Sequence, residues 1–156
     1  MVRKIKIIIS TLLIALALKL VGCSPLWVIG PSMYPTFIQG KSLLLVLYID
    51  KTPDRGEIAI IDRGELKLCK RIVAVPGDVV EMYDDVITVN GEDATLVYNA
   101  IPDHYKTAKF TLLPGYYFVI GENRPNSMDS RDLGPILRSE IVGTLGPYIV
   151  IFEEGF

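Results

Sequence analysis

Glycine punctuates this chain at intervals too short for ordinary helices. The pairs Arg55-Gly56, Arg63-Gly64, Pro76-Gly77, Asn90-Gly91, Pro114-Gly115 and Gly146-Pro147 each carry a glycine, for which positive φ is cheap. Between them lie runs rich in β-branched and aromatic residues, at 42–49, 57–62, 66–75, 86–90, 116–120 and 148–152. These read as short antiparallel strands. The polar stretch 98–109, with Pro102 and His104, reads as a loop, and His104 as an exposed residue within it. No run of helical period follows residue 27, and neither an internal repeat nor a low-complexity tract is present. The 156 residues therefore predict a mainly β chain: one compact antiparallel sheet or barrel domain over residues 28–156, behind a different amino-terminal segment, residues 1–27.

That segment carries Arg3, Lys4 and Lys6, followed by an apolar run over 7–18, Lys19, and then Leu20 and Val21. Counted on to Trp27 it gives about twenty mostly apolar residues, enough to cross hydrocarbon if Lys19 snorkels and Trp27 sits at the interface. Three readings compete: a retained transmembrane anchor with a cytoplasmic amino end, a cleaved secretory signal, and a lipoprotein signal in which Leu20-Val-Gly-Cys23 resembles a lipobox. The retained anchor is adopted, because Lys19 sits awkwardly in so short a secretory apolar run. All three put the remainder outside the cytoplasm.

Sixteen basic against eighteen acidic residues leave a net charge of −2, which offers a nucleic-acid backbone no attraction. A single histidine excludes two-histidine metal motifs, and two cysteines cannot build a disulfide scaffold. No metal or cofactor is expected. Cys23 reads as a small residue near a helix end and Cys69 as an inert strand sulfur, with a bridge between them left open.

Chemistry concentrates in three places. In residues 30–36, Pro31 and Pro35 restrict the backbone around Ser32, whose hydroxyl is either a rigidly aimed nucleophile or an ordinary turn serine. A base for it is hard to draw from the one histidine, so a lysine held neutral by burial is the alternative. Period-two alternation puts Leu66, Leu68, Lys70, Ile72 and Ala74 on one face of a strand, which leaves Lys70 as the odd charge on an apolar face. Such a site disfavours the ammonium and lowers its pKa, unless the lysine merely snorkels. Thirdly, residues 121–131 pack polar groups densely: Ser127 could hold the Lys70 amine, and Asp129 could pair with Arg131 to fix the loop, if this is not simply a solvated surface segment.

Together Pro31-Ser-Met-Tyr-Pro-Thr36, Lys70-Arg-Ile-Val-Ala-Val-Pro-Gly-Asp78 and Gly121-Glu-Asn-Arg-Pro-Asn-Ser-Met-Asp-Ser-Arg131 resemble the type I signal peptidases, membrane-anchored serine proteases that remove signal peptides. Arg55-Gly-Glu-Ile58 agrees. The resemblance implies a compact signal-peptidase-like β domain with one transmembrane helix, Ser32 as nucleophile, Lys70 as general base, Ser127 as the hydroxyl orienting the lysine, and Asp129 with Arg131 as a structural salt bridge. It also implies Ile29, Met33, Leu68 and Cys69 as walls of pockets for small residues. Two departures stand out: Glu122 and Pro125 occupy positions where Asp is common, and Gly30 stands where some members supply a serine hydroxyl to the oxyanion hole. Without that hydroxyl the donor is the Ser32 N–H.

The implied activity is cleavage of secretory preproteins after Ala-x-Ala-type sites, at the cell membrane, by a monomer with its catalytic domain extracytoplasmic. Two other readings remain at this stage: another Ser-Lys protease such as a conjugation-type peptidase, or a catalytically silent tethered or lipidated β domain that binds a secreted partner.

Overall fold

A computed structural model describes residues 2–20, 23–47, 52–84, 86–94, 105–145 and 149–150 of the chain. Helix α1 (Val2–Leu20) is followed by β1 (Cys23–Trp27), β2 (Ser42–Leu47), β3 (Ile58–Arg63), β4 (Leu66–Ala74), β5 (Val79–Asp84), β6 (Val86–Val89) and β7 (Glu92–Asp93). Then come β8 (Tyr105–Thr111), β9 (Tyr116–Ile120), the short helix α2 (Ser130–Leu133), β10 (Ile136–Leu137), β11 (Ile141–Leu145) and β12 (Ile149–Val150). One sheet runs β1-β2-β11-β3-β4-β9-β10 with β12 also on β2, and a second runs β7-β6-β5-β8. The described pairings are antiparallel, so the mainly β, antiparallel expectation holds. Gly56, Gly64, Gly77, Gly91 and Gly115 all adopt positive φ, while Gly146 lies outside the described residues.

Successive antiparallel steps from β1 through β2, β11 and β3 to β4 leave β1 and β4 pointing the same way. Among the described residues β1 has a ladder on one edge only. The 66–70 half of β4 pairs with β3, whereas the β9 ladder begins at Arg71. Among the described residues, the outer edge of β1 and the 66–70 edge of β4 are therefore both open and run parallel.

Alternation along the central strands feeds two cores. Tyr117 and Val119 of β9 pack with Ala59, Ile61, Ile72, Ile136 and Ile141, while Phe118 and Ile120 pack with Val73, Ala74, Val80, Ile87, Val89 and Leu112 between the sheets. Strand β4 serves both cores because its register against β9 shifts between Ile72 and Ala74. A third cluster of Met33, Phe37, Leu44 and Ile58 seats the 31–37 loop on the sheet.

Two sequence expectations are corrected. The apolar segment does not continue as one helix to Trp27: α1 stops at Leu20, and Cys23–Trp27 pairs with Leu43–Leu47 as an edge strand. Pro25, hostile to a helix interior, is tolerated on such an edge. Among the described residues no helix is long and apolar enough to cross a membrane; the 19 residues of α1 include Arg3, Lys4, Lys6 and Lys19. The stretch read as a loop over 98–109 contains most of β8, which pairs with β5, a strand not anticipated at 79–84. Both carry charge on an exposed face, where Lys109 meets Glu81 at 2.9 Å, and so lack the apolar run that marks the other strands. His104, the Cys23 side chain and most of 148–152 lie outside the described residues.

The turn leading into β5 is fastened by Asp78, which is buried. Its carboxylate accepts from the Val75 N–H at 2.8 Å, Asn90 Nδ2 at 2.9 Å and Arg55 Nη2 at 2.6 Å. Burial opposes ionisation, but these donors outweigh it and hold the carboxyl below its ordinary value. A depressed carboxyl contributes stability above the unfolded-state pKa and loses it as pH falls through the native one. Asp78→Ala is expected to cost about 2 kcal/mol at neutral pH and to flatten the acid limb of stability against pH, measured by urea unfolding.

Candidate active site

Ser32 sits in a loop whose shape is set locally. The Pro31 carbonyl accepts from the Tyr34 N–H at 2.9 Å and the Met33 carbonyl from the Phe37 N–H at 2.8 Å, while Met33 and Phe37 are buried beneath. Gly30 enters the loop at φ +131°, a conformation strained for any L side chain although the space around it is open.

Across from the loop, β4 presents Lys70 as its alternation requires. Leu68 and Ile72 flank it on the strand, and Ala59 is its partner on β3. Lys70 is only 2% exposed, and its Nζ lies 2.6 Å from Ser32 Oγ. Burial lowers its pKa from the usual lysine range; the Arg131 cation acts in the same direction, against the nearby Asp129 carboxylate and Cys69. Ser32 and Lys70, 38 residues apart in sequence, are thus brought together, with the amine biased towards the free base.

The 121–131 segment supports both residues. Asp129 and Arg131 form the expected pair, with Nε to Oδ1 at 2.8 Å and Nη2 to Oδ2 at 2.9 Å, both side chains fully buried. Asp129 also caps α2 and accepts from the Gly121 N–H at 2.9 Å. Ser127 donates its hydroxyl to Asp129 Oδ2 at 2.8 Å, and among the described residues the hydrogen bond of the Lys70 amine goes to Ser32. A buried carboxylate is a strong acceptor for the hydroxyl proton, and this bond leaves the oxygen's own lone pairs able to accept.

The two family departures in this segment are accommodated. Glu122, 1% exposed, pairs with Arg71, which also donates from Nη1 to the Gly56 carbonyl at 2.6 Å. Pro125 lies at the start of a 3₁₀ turn, where its missing N–H is no loss.

Two residues were missed in the sequence. Asn123 donates from its backbone N–H to the Ser32 carbonyl at 2.9 Å and from Nδ2 to the Pro31 carbonyl at 3.2 Å. Gly121 leaves room for this approach: a Cβ there would lie 2.0 Å from Ser127 Oγ and 2.8 Å from the Ser32 carbonyl oxygen. The polar density of 121–131 marked the segment, but not which carbonyls it would reach.

A groove of about 270 Å³ ends at the Ser32–Lys70 contact. Leu26 to Gly30 form one wall and Lys67 to Lys70 the other, so the groove occupies the gap between the open edges of β1 and β4. All four expected wall residues line it: Ile29 at the rim, 91% exposed, Met33 at the floor, and Leu68 and Cys69 on β4. Burial pushes the Cys69 thiol up to about 12, which keeps its sulfur a neutral wall group.

Residues 1–149 match the family model described as signal peptidase, peptidase S26. The chain is 38% identical over 157 residues to signal peptidase I of Bacillus amyloliquefaciens, the match spanning 89% of this chain and 80% of that protein. It is 36% identical to signal peptidase I T of Bacillus subtilis (strain 168), spanning 89% of this chain and 80% of that one, and 33% identical to signal peptidase I S of the same strain, spanning 89% and 83%.

Gly121→Ala is expected to force the Ser32 carbonyl and Ser127 apart, lowering stability by roughly 1–3 kcal/mol and turnover more than tenfold, checked by thermal unfolding and a peptide-cleavage assay on the folded fraction.

Proposed function

The chain belongs to the signal peptidase family, peptidase S26, and is a serine-type endopeptidase that removes signal peptides from secretory preproteins; we propose that it does so with a Ser32–Lys70 dyad. The observation that carries this reading is the 2.6 Å approach of a buried lysine amine to a hydroxyl held in a rigid loop. Neutral Lys70 takes the Ser32 proton as Oγ attacks the scissile carbonyl. The resulting ammonium gives that proton to the leaving amine, and Lys70 then activates the water that hydrolyses the acyl-enzyme. Among the described residues the Ser32 N–H has no acceptor within the chain, which leaves it available to the oxyanion. Ser127, Asp129 and Arg131 keep the surroundings of the amine fixed.

The substrate lies as an added strand between β1 and β4. Because both strands lead to the dyad in the same direction, residues preceding the cut run parallel to them, and their alternate side chains enter pockets walled by Ile29, Met33, Leu68 and Cys69. Shallow pockets favour Ala at the first and third positions before the cut. One chain supplies both reactive groups, consistent with a monomer. The amino-terminal segment, with Arg3, Lys4 and Lys6 at its cytoplasmic start, anchors the enzyme in the cell membrane and leaves the catalytic domain outside.

Ser32→Ala and Lys70→Ala are each expected to lower preprotein cleavage at least a thousandfold without loss of fold, and Lys70→Arg is expected not to rescue it. Full activity in either alanine variant would end the dyad proposal. Since only the free amine accepts a proton, kcat/KM should rise with pH through a Lys70 pKa below the ordinary lysine value. A rate that stays level from acid to neutral pH would contradict this.

A further inference from the structure

Building on the dyad reading, we propose that Asn123 is a positioning residue that aims the Ser32 N–H at the developing oxyanion. The Pro31 carbonyl and the Ser32 N–H are opposite ends of one planar trans peptide, so fixing the oxygen fixes the direction of the hydrogen. Two donors fix that oxygen: the Tyr34 N–H at 2.9 Å, from within the loop, and Asn123 Nδ2 at 3.2 Å, from 92 residues away. The next peptide is fixed as well, because the Ser32 carbonyl accepts from the Asn123 backbone N–H at 2.9 Å. One residue therefore grips the peptide planes on both sides of the nucleophile.

Asn123 is itself held. It is 9% exposed, and Asn126 Nδ2 donates to Asn123 Oδ1 at 3.2 Å, an arrangement that requires the other end of the carboxamide, the NH₂, to face Pro31. Gly121 leaves the space for this approach, since any side chain there would meet the Ser32 carbonyl. The grip matters more here than in a site with a side-chain donor. Gly30 brings no hydroxyl to the oxyanion, and its φ of +131° makes a substituted side chain costly. Stabilisation of the tetrahedral intermediate then rests on the direction of the Ser32 N–H. Removal of an oxyanion donor costs roughly 10²–10³ in kcat, and a donor present but misdirected loses part of that.

The test is Asn123→Ala in the full chain, assayed on a preprotein and with a peptide boronate, whose tetrahedral adduct on Ser32 carries an oxygen in the oxyanion position. The variant keeps the backbone bond to Ser32 and loses the side-chain bond to Pro31. Expected are a kcat lower by about 10–100-fold, KM within about twofold, boronate affinity weakened in step with kcat, and an unchanged acid-limb midpoint, since Lys70 keeps its surroundings. Asn126→Ala should move kcat and boronate affinity the same way by a smaller factor, and Asn123→Asp, which cannot donate to the Pro31 carbonyl when ionised, should not restore them. Unchanged kcat and boronate affinity, or a loss accompanied by a moved acid limb, would overturn the proposal. If Asn123→Ala does not fold, Asn126→Ala decides by the same readouts. A boronate that forms no Ser32-dependent adduct with the unsubstituted enzyme would instead overturn the dyad reading and this inference together.

Discussion

The Asp129–Arg131 pair is a fully buried ion pair, and such a pair is tolerable only when nearly every lone pair and proton is used. Here the carboxylate is bonded by Arg131, Ser127 and the Gly121 amide, while Arg131 Nη2 also reaches the Arg124 carbonyl at 2.8 Å. These bonds convert 121–131 from an ordinary connection after β9 into a rigid block. Two of its outward contacts serve the reactive site: Glu122 to Arg71, beside Lys70, and Asn123 to the carbonyls around Ser32. Loss of one member of the pair would leave an uncompensated buried charge and release both contacts at once.

The electrostatics of Lys70 follow from that placement. Dehydration disfavours its ammonium, and Arg131 adds repulsion, yet Asp129 stands close enough to oppose both. Because the charge of Asp129 is engaged by Arg131, its pull on the amine is blunted. The same residue that braces the loop thus tempers the site's acidity, and a change there would reach both geometry and protonation.

Much of this was legible in the sequence because it depends on local rules. The alternation around Lys70, the turn glycines and the polar density of 121–131 are visible as patterns, and the structure returns them, with Gly146 outside the described residues. Ser32 and Lys70 could be paired because an isolated cation on an apolar face asks for a partner. The misses share a different cause. Asn123 acts through carbonyls more than ninety residues away, and β5 and β8 are held by a partner strand rather than by their own apolar content. Tertiary competition decides such matters, and a linear pattern carries no trace of it. The amino-terminal run was miscounted for a related reason: residues 23–27 form an edge strand paired with β2, not the continuation of a helix.

The open edges of β1 and β4 face each other across a cleft instead of facing solvent broadly. An exposed edge recruits whatever strand it meets, but an opening flanked on both sides admits only a polypeptide that is already stretched out and has main-chain groups to offer in two directions. A segment tied up in a helix or in a neighbour's ladder has none to lend. The proposed substrate site therefore filters by conformation before it filters by side chain, passing over alanine pairs in finished domains and attending to chain that has not yet settled.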